Sequence, residues 1–397
     1  MFGKRFAAVG VAALTAASLA ACGGSADGGS GGESGSYAVG FNSDLSGKFS
    51  LNGVGQRDGF KAYFDYVNAQ GGIDGHKVDV TYLDDASDVT RGTANTTQLM
   101  TAKRVSAVGG YLLSNVCGAA AVLAKTNKVP INCSALSDDL LKPVQPYVYT
   151  ARMLQSEEAL PMITLADQLV EAEKPRVAVI IFASASSIGL QKSLEALVKQ
   201  KGWELVASEQ VPLTATDVSS QAAKVIASKP DVVVGSLYDP LAVSFMRTAK
   251  AANLDAPFID YDGGTYQGGL LAIKDPNFYV LSNFSVDGVG DGAGLDQYRD
   301  ALKAANVSPT KPFVSTGYAQ ALSIAEGLKT CGFPCNGEKL QAAFDKQNVD
   351  TGGFSAGPIQ YSADNHMGSR FASFYSWDAA TGKVKPALEK TPGGSGN

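Results

Sequence analysis

Residues 60–85, FKAYFDYVNAQGGIDGHKVDVTYLDD, read as a helix, a glycine turn and a strand in direct succession. Apolar side chains recur at helical spacing at the start of this stretch: Phe60, Tyr63, Phe64 and Val67. Gly71-Gly72 predict the end of the helix, because glycine adopts the left-handed conformation that terminates helices. A strand follows in which apolar residues alternate, and it ends at Asp84-Asp85. The stretch therefore predicts one helix–strand unit of an α/β protein.

The same alternation of apolar runs and helical segments continues on both sides of this unit. Further strands are predicted at 37–41, 105–109, 129–132, 177–182, 204–210, 232–236, 258–261 and 278–282. Helices are predicted between them, at about 93–102, 116–127, 156–172, 188–200, 218–228, 241–252 and 295–305. The number of predicted strands is larger than is usual for one open sheet. We therefore expect two doubly wound, Rossmann-like lobes, with the boundary between them near 150–156. Ligands of such sheets bind at the carboxyl ends of the strands.

The N-terminus has the pattern of an export signal. Residues 1–21 begin with two basic residues, continue through a short apolar run and end in small residues, as in a cleaved signal peptide. The following Leu19-Ala20-Ala21-Cys22-Gly23 resembles the bacterial lipobox, which implies a lipid on Cys22 and an anchor in the cell membrane. The alternative is an ordinary signal peptide with an incidental cysteine. Residues 22–36 are rich in glycine and serine and are expected to form a tether, and 391–397 a disordered tail.

Composition argues against several functions. The chain has 33 Lys+Arg and 38 Asp+Glu among 397 residues, so it has no basic excess for nucleic acid. Its only histidines are His76 and His366, and it contains no phosphate loop, zinc-protease motif or nucleophile elbow. We therefore expect no metal, no cofactor and no enzymatic activity, although a lipid-anchored hydrolase of the same architecture is the alternative from another class.

Export makes the remaining four cysteines candidates for disulfides. Three connectivities are possible, and the sequence alone does not select one. We favour Cys117–Cys133 and Cys331–Cys335 because each pair joins neighbouring segments, and Gly332 and Pro334 suit a tight turn in the second pair. A metal site made of the four cysteines is the alternative, but they lack paired C-x2-C spacing.

Several local motifs together resemble the solute-binding proteins of ABC importers, of the Leu/Ile/Val-binding type with the type I periplasmic-binding fold. The most specific segment is Asn68-Ala69-Gln70-Gly71-Gly72-Ile73-Asp74-Gly75-His76-Lys77-Val78, followed by Asp84-Asp85 and Asp88. The resemblance spans about Tyr37 to Trp377. It implies two lobes joined by three crossover segments, with 37–154 and 286–361 in the first lobe and 155–285 and 362–390 in the second. It also implies a monomer that delivers its ligand to a membrane permease.

The resemblance and the strand ends together select candidate ligand-binding residues. We expect contacts from Ser46, Ser114, Asn115, Ser134 and Ala135 in the first lobe, and from Tyr238, Asp262 and Tyr318 elsewhere. Hydroxyls and helix N-termini suit a carboxylate, and Asp262 would pair with an ammonium group. Leu136 and Ile188 stand where the family carries a threonine and a tyrosine, which favours a different or larger ligand.

The sequence thus predicts an extracytoplasmic binding protein that captures a small organic solute, first of all a branched-chain or other aliphatic amino acid. An aromatic or other small carboxylate or amide is the alternative ligand. A ligand sensor of the same fold, feeding a membrane receptor, is the alternative role.

Overall fold

The computed structural model describes residues 35–261, 266–286 and 289–395. The signal peptide 1–21, the proposed lipidation site Cys22, most of the tether, Asp262 and the last two residues of the tail lie outside the described residues.

A five-stranded parallel sheet forms the centre of what we call the first lobe. Its strand order is β2-β1-β3-β4-β5. The strands are β1 (Tyr37–Ser43), β2 (Val78–Asp84), β3 (Ala107–Gly110), β4 (Ile131–Cys133) and β5 (Val148–Tyr149). Strand β1 is buried along almost its whole length and is apolar from Tyr37 to Phe41, as expected for a central strand of a parallel sheet covered on both sides; its last two residues, Asn42 and Ser43, are polar but also buried.

A seven-stranded sheet forms the centre of the second lobe, in the order β14-β13-β10-β9-β8-β6-β7. Its parallel strands are β6 (Arg176–Phe182), β7 (Glu204–Val211), β8 (Val232–Ser236), β9 (Phe258–Asp260) and β10 (Phe278–Ser282). An antiparallel pair completes it, β13 (Phe371–Asp378) and β14 (Lys383–Pro392). The short strands β11 (Asn348–Val349) and β12 (Ile359–Gln360) pair separately. The predicted α/β class with doubly wound parallel sheets is confirmed.

Helices cover both faces of each sheet. The first lobe carries α1 (Ser50–Ala69), α2 (Val89–Thr97) and α3 (Ser114–Asn127), and later in the chain α9 (Ala293–Ala304), α10 (Val314–Cys331) and α11 (Gly337–Phe344). The second lobe carries α4 (Ala159–Leu169), α5 (Ala185–Gln200), α6 (Ser219–Ala227), α7 (Asp239–Ala251) and α8 (Tyr266–Ile273). Each sheet therefore has an apolar core on either side.

Helices α1 and α10 approach each other with almost no space between their backbones. A Cβ atom added to Gly59 would lie 1.9 Å from the carbonyl oxygen of Val314, and one added to Gly317 would lie 1.8 Å from that of Gln56. Only glycine permits such an approach. The close contact brings the side chains of Gln56 and Gln320 together, and Gln56 Nε2 donates a hydrogen bond to Gln320 Oε1 at 2.8 Å.

Three segments of the chain pass between the lobes and lie side by side. The first follows β5, the second follows β10 and the third follows β12. Gly368 N–H donates to the carbonyl of Thr150 at 2.8 Å, and Met153 N–H donates to Asn283 Oδ1 at 3.0 Å. These few bonds tie the segments together, and such a narrow connection between two compact cores is the usual form of a hinge.

Both favoured cysteine pairs are close in the structure. The sulfur atoms lie 2.09 Å apart in Cys117–Cys133 and 1.97 Å apart in Cys331–Cys335, which is bonding distance. The first pair joins α3 to β4.

The expected disordered tail is corrected in part. Strand β14 runs to Pro392, and the chain beyond it is hydrogen-bonded to the second lobe. Gly394 N–H donates to the carbonyl of Glu157 at 2.8 Å, and its own carbonyl accepts from Leu160 N–H at 2.9 Å. Leu160 lies in the first turn of α4, where a backbone N–H lacks a partner within the helix. The carbonyl of Gly394 thus caps the N-terminus of α4, and this bond fixes the end of the chain to the second lobe.

Candidate ligand-binding site

A cavity of about 490 Å³ lies between the two sheets. It is lined by the loops that follow the carboxyl ends of strands in both lobes, together with the first crossing segment and one residue before α10. Parallel sheets place these loops and the N-termini of the following helices at one edge. A volume of this size accommodates a small organic molecule.

The wall from the first lobe includes the N-terminus of α3 and the loop after β4. Ser114 and Asn115 begin α3 and line the cavity, and the preceding Leu113 forms no side-chain cap for the first N–H groups of the helix. Asn115 Oδ1 accepts from Val116 N–H at 2.9 Å. Ser134 and Ala135 follow β4, and Leu136 adds an apolar side chain beside them.

A network of buried side-chain amides is hydrogen-bonded to Ser134 and to the backbone near it. The Nε2 group of Gln56 contacts Ser134 Oγ and lies 3.0 Å from the carbonyl oxygen of Gly110. Gln320 Nε2 donates to the carbonyl of Asn132 at 2.6 Å. Because Gln56 and Gln320 are both fully buried, these bonds are not exchanged with water. The network fixes the loop after β4 at the cavity.

The wall from the second lobe is a row of linked hydroxyl groups. Ser184 caps α5 by accepting from Ser187 N–H at 3.2 Å, and Ser187 Oγ lies 2.9 Å from Ser236 Oγ at the end of β8. Gln155, from the first crossing segment, donates to Ser236 at 2.7 Å and its N–H donates to the carbonyl of Leu136 at 3.2 Å. Gln155 therefore connects the two walls.

Aromatic side chains supply most of the remaining surface. Phe182 and Tyr238 meet edge to face with ring centroids 4.9 Å apart. Phe49 and Phe313 come from the first lobe, and Tyr261 follows β9 in the second. Burial raises the pKa of the Tyr238 hydroxyl, so it stays protonated and able to donate. The cavity thus combines apolar walls with a limited set of donors, as ligand sites commonly do.

Arg152 is a buried charge at this cavity. Its side chain is 2% exposed, its Nη1 lies 3.4 Å from the carbonyl oxygen of Ser134, and its guanidinium carbon lies 5.5 Å from the centroid of Phe313. Along the described part of the chain, the charged residues that line the cavity are Arg152 and Lys48, and both are cationic.

Acidic residues in the second lobe lie behind the lining. Asp260 is buried at the end of β9 and accepts from the N–H groups of Leu237 and Tyr261, at 2.8 and 3.0 Å. Burial nevertheless raises the pKa of Asp260 well above its usual value. The charges that act most strongly on the Tyr261 hydroxyl are Asp260, Arg152, Glu158 and Asp239.

Lys48 bridges the two lobes at the mouth of the cavity. Its Nζ donates to the carbonyl of Leu213, in the loop after β7, at 2.9 Å. This bond connects the loop before α1 to the loop after β7, and both residues line the cavity.

The cavity contains most, but not all, of the sequence-predicted residues. Those that line it are Ser114, Asn115, Ser134, Ala135 and Tyr238. The other two expected contacts in the described part of the chain, Ser46 and Tyr318, are absent from the lining of this cavity. Ser46 is exposed and donates to Asp84 Oδ2 at 2.6 Å. Tyr318 is 1% exposed and packs against Tyr63, Tyr298 and Phe354, because its face of α10 is turned toward α1 and α9.

Sequence reasoning missed Arg152, Gln155, the serines at the start of α5, Tyr261 and Phe313. A signal existed for the serines, since Ala183-Ser184-Ala185-Ser186-Ser187 follows a predicted strand directly. Arg152 lies in a segment that we assigned only as a crossing, and nothing in its local pattern indicates that its side chain is buried. Phe313 enters the cavity from a position far away in sequence.

The described residues contain no cluster of three or more His, Cys, Asp or Glu side chains suited to a metal ion. The same residues include no helix with the length and hydropathy of a membrane span.

Comparison with known proteins gives consistent matches. The model of a family described as periplasmic binding protein matches residues 36–383. The Leu/Ile/Val-binding protein of Citrobacter freundii is 24% identical over 79% of this chain and 83% of its own length. The branched-chain amino acid transporter substrate-binding protein LivJ of Streptococcus pneumoniae, solved with isoleucine, aligns with a TM-score of 0.74 and 26% identity over 90% of this chain and 99% of that one. An R. palustris solute-binding protein solved with 4-hydroxybenzoate gives a TM-score of 0.74 at 17% identity, over 91% and 97%.

Proposed function

The chain belongs to the periplasmic binding protein family, whose members are binding proteins of transporters rather than enzymes, and from this premise we propose that it is the substrate-binding component of an ABC importer. The observation that carries the proposal is the cavity between two lobes whose sheets are linked, in the described part of the chain, by three crossing segments that lie side by side. Hinge motion would open this cavity to admit a solute and close it again around the bound molecule. A permease would then recognise the closed form.

The ligand we propose is a small organic carboxylate, and an aliphatic amino acid of the branched-chain type is the first candidate. Leu/Ile/Val-binding relatives and the isoleucine-bound LivJ structure support it. Helix N-termini and hydroxyls suit the carboxylate, and Asp262 would pair with the ammonium group.

An aromatic carboxylate is the second candidate. Aromatic rings in the cavity wall favour it, because a flat ligand ring packs well against the edges or faces of other rings. These rings belong to Phe49, Phe182, Tyr238, Tyr261 and Phe313.

An importer and a ligand sensor would share this binding step and differ only in the membrane partner.

We also propose that the protein is exported, acylated on Cys22 and held at the outer face of the membrane as a monomer. The lipobox and the glycine- and serine-rich segment support this proposal. In the oxidising compartment the two close cysteine pairs would be disulfides.

The test is a thermal-shift panel on the purified mature protein with L-leucine, L-isoleucine, 4-methylpentanoate and 4-hydroxybenzoate. A ligand at one hundred times its dissociation constant stabilises the protein by about 2.7 kcal/mol, which raises the midpoint by several degrees. Leucine and 4-methylpentanoate differ in the ammonium group, so a shift with leucine alone that disappears in Asp262→Ala supports an amino acid. No shift with any member would contradict the proposed ligand class.

Uptake in the native organism tests the transport role. Deletion of the gene should abolish accumulation of the radiolabelled ligand, and restoring the gene should recover it. Normal uptake together with a lost transcriptional response to the ligand would instead establish a sensor.

A further inference from the structure

We propose that Ser186, at the start of α5, accepts a hydrogen bond from a neutral hydroxyl group of the ligand, so that the protein selects hydroxylated carboxylates, phenolic acids first, over the same acids without the hydroxyl. This inference rests on the proposed function, because it concerns a carboxylate held in the same cavity. It adds a second polar group, remote from the carboxylate, to the description of the ligand.

The serine hydroxyls at the start of α5 form a chain in which the protons are already used. Ser184 Oγ donates to Ser187 Oγ at 2.8 Å. Because Ser184 has a single hydroxyl proton, the 3.1 Å contact between Ser184 Oγ and Ser186 Oγ uses the proton of Ser186. This contact is the one hydrogen bond of the Ser186 hydroxyl among the described residues. Ser186 Oγ therefore keeps its lone pairs as open positions and acts as an acceptor at the cavity.

The other end of this chain lies in the buried part of the wall. Ser187 Oγ lies 2.9 Å from Ser236 Oγ and 3.4 Å from Gln155 Oε1, and Gln155 Nε2 donates to Ser236 at 2.7 Å. All three residues are buried, so these bonds are shielded from water. The proton of Ser187 has acceptors on this side, which leaves Ser187 to accept from Ser184. The order of the hydrogen bonds is thus set before a ligand arrives, and this lowers the cost of binding.

The backbone beside Ser186 offers groups of the opposite kind. Ala185 and Ser186 are the first two residues of α5, and both line the cavity. The Ser184 cap accepts from the N–H of Ser187, and the N–H groups of Ala185 and Ser186 have no hydrogen-bond partner in the described part of the chain. The start of α5 therefore presents two donors next to one acceptor.

A neutral hydroxyl matches this combination better than a charged group does. It has one proton to donate and lone pairs that accept. A carboxylate has no proton for Ser186, and an ammonium group has no lone pair for the backbone N–H groups. The partial positive charge at the helix N-terminus also disfavours a cation, and no acidic residue within the described ranges lines the cavity.

Aromatic rings on the same elements favour a phenolic hydroxyl. Phe182 ends β6, two residues before Ser184, and Tyr238 follows β8 by two residues. Both rings line the cavity and meet edge to face with their centroids 4.9 Å apart. A ligand ring that packs against them would lie beside the strand-end loops that also carry the serine chain. We therefore expect the hydroxyl on the ring of an aromatic acid.

The test measures the preference for the hydroxylated member of matched pairs by isothermal titration of the mature protein. The pairs are 4-hydroxybenzoate with benzoate, 4-hydroxyphenylacetate with phenylacetate, and L-tyrosine with L-phenylalanine. For a pair that binds, we expect wild type to favour the hydroxylated member by about 3- to 10-fold, the range for one neutral hydrogen bond. Because 4-fluorobenzoate has a substituent of similar size without a proton, it should bind like benzoate.

Variants assign the preference to the serine chain. Ser186→Ala should bring the affinity ratio of the pair close to one. Ser187→Ala removes the acceptor of the Ser184 proton but keeps the backbone N–H that Ser184 caps. The Ser184 proton is then free to turn to Ser186, so the ratio should fall in this variant as well.

Ser220→Ala is the matched control, because Ser220 is also the second residue of a helix in the second lobe but lies outside the cavity lining. It should keep the wild-type ratio. The ratio is measured within one protein, so a partial loss of folded material does not alter it.

The possible results separate the inference from the proposed function. A wild-type ratio retained in Ser186→Ala, or one lost there but retained in Ser187→Ala, overturns the assignment of Ser186 as an acceptor fixed by the serine chain. Equal affinity for both members of each pair, or for 4-fluorobenzoate and 4-hydroxybenzoate, also overturns it. Binding of L-leucine or 4-methylpentanoate without binding of any aromatic pair overturns the inference and leaves the proposed function. A wild type that binds none of these compounds overturns both.

Discussion

Replacing Gly317 with alanine should destabilise the first lobe through the contact between α1 and α10. The new Cβ atom would lie 1.8 Å from the carbonyl oxygen of Gln56, whereas an ordinary contact begins near 3.4 Å, so the two helices must separate by about 1.6 Å. Overpacking of this kind costs about 1–3 kcal/mol of unfolding free energy. The separation would also weaken the 2.8 Å bond between Gln56 and Gln320, which supports Ser134 at the cavity. Ligand affinity should therefore fall together with stability.

Urea denaturation of wild type and Gly317→Ala, followed by circular dichroism, measures the loss. Gly118→Ala is the matched control, because Gly118 also lies inside a helix but its added Cβ would meet its nearest neighbour, Leu140, only at 3.8 Å. Alanine favours a helix over glycine by about 0.5–1 kcal/mol, so this control should be slightly stabilised. If both variants gain stability equally, the close approach of α1 and α10 is wrong.

Three further predictions follow from single contacts. Lys48→Met removes the hydrogen bond to Leu213 across the mouth of the cavity, so it should raise the dissociation constant of the ligand about 2- to 10-fold, as measured by titration calorimetry. An unchanged dissociation constant would mean that this bond does not favour closure of the lobes. Burial is the main cause that lowers the pKa of His366, so the unfolded chain binds a proton near pH 6.5 that the folded chain does not. The free energy of unfolding should therefore fall more between pH 7.5 and pH 5.5 in wild type than in His366→Gln. Parallel pH profiles of the two proteins would contradict this prediction. Cys117→Ala/Cys133→Ala should lose about 3 kcal/mol of stability under oxidising conditions, and reduction should remove the difference between this variant and wild type if the pair is a disulfide.

The sequence was sufficient for the architecture because the architecture depends on local periodicity. Period-2 and period-3.6 patterns located most of the parallel strands and the helices between them, although β5, α8 and α11 were not predicted. The alternation of strands and helices leaves a doubly wound sheet as the natural arrangement. The sequence also indicated that Ser114, Ser134 and Tyr238 would lie at one cavity, since each follows a strand and parallel strands bring such loops to one edge. The antiparallel pair β13 and β14 and the order beyond Pro392 went unpredicted.

Contacts between distant segments were decided only by the tertiary structure. Tyr318 and Gln320 lie two residues apart on α10, yet one packs in an aromatic cluster and the other bonds to Gln56, which precedes it by 264 residues. Arg152 carries a charge that a local pattern would assign to solvent, but the crossing segments and the loop after β4 enclose it. Periodicity reports which side of an element is apolar. It does not report which other element covers that side, because that depends on how the two lobes pack and close.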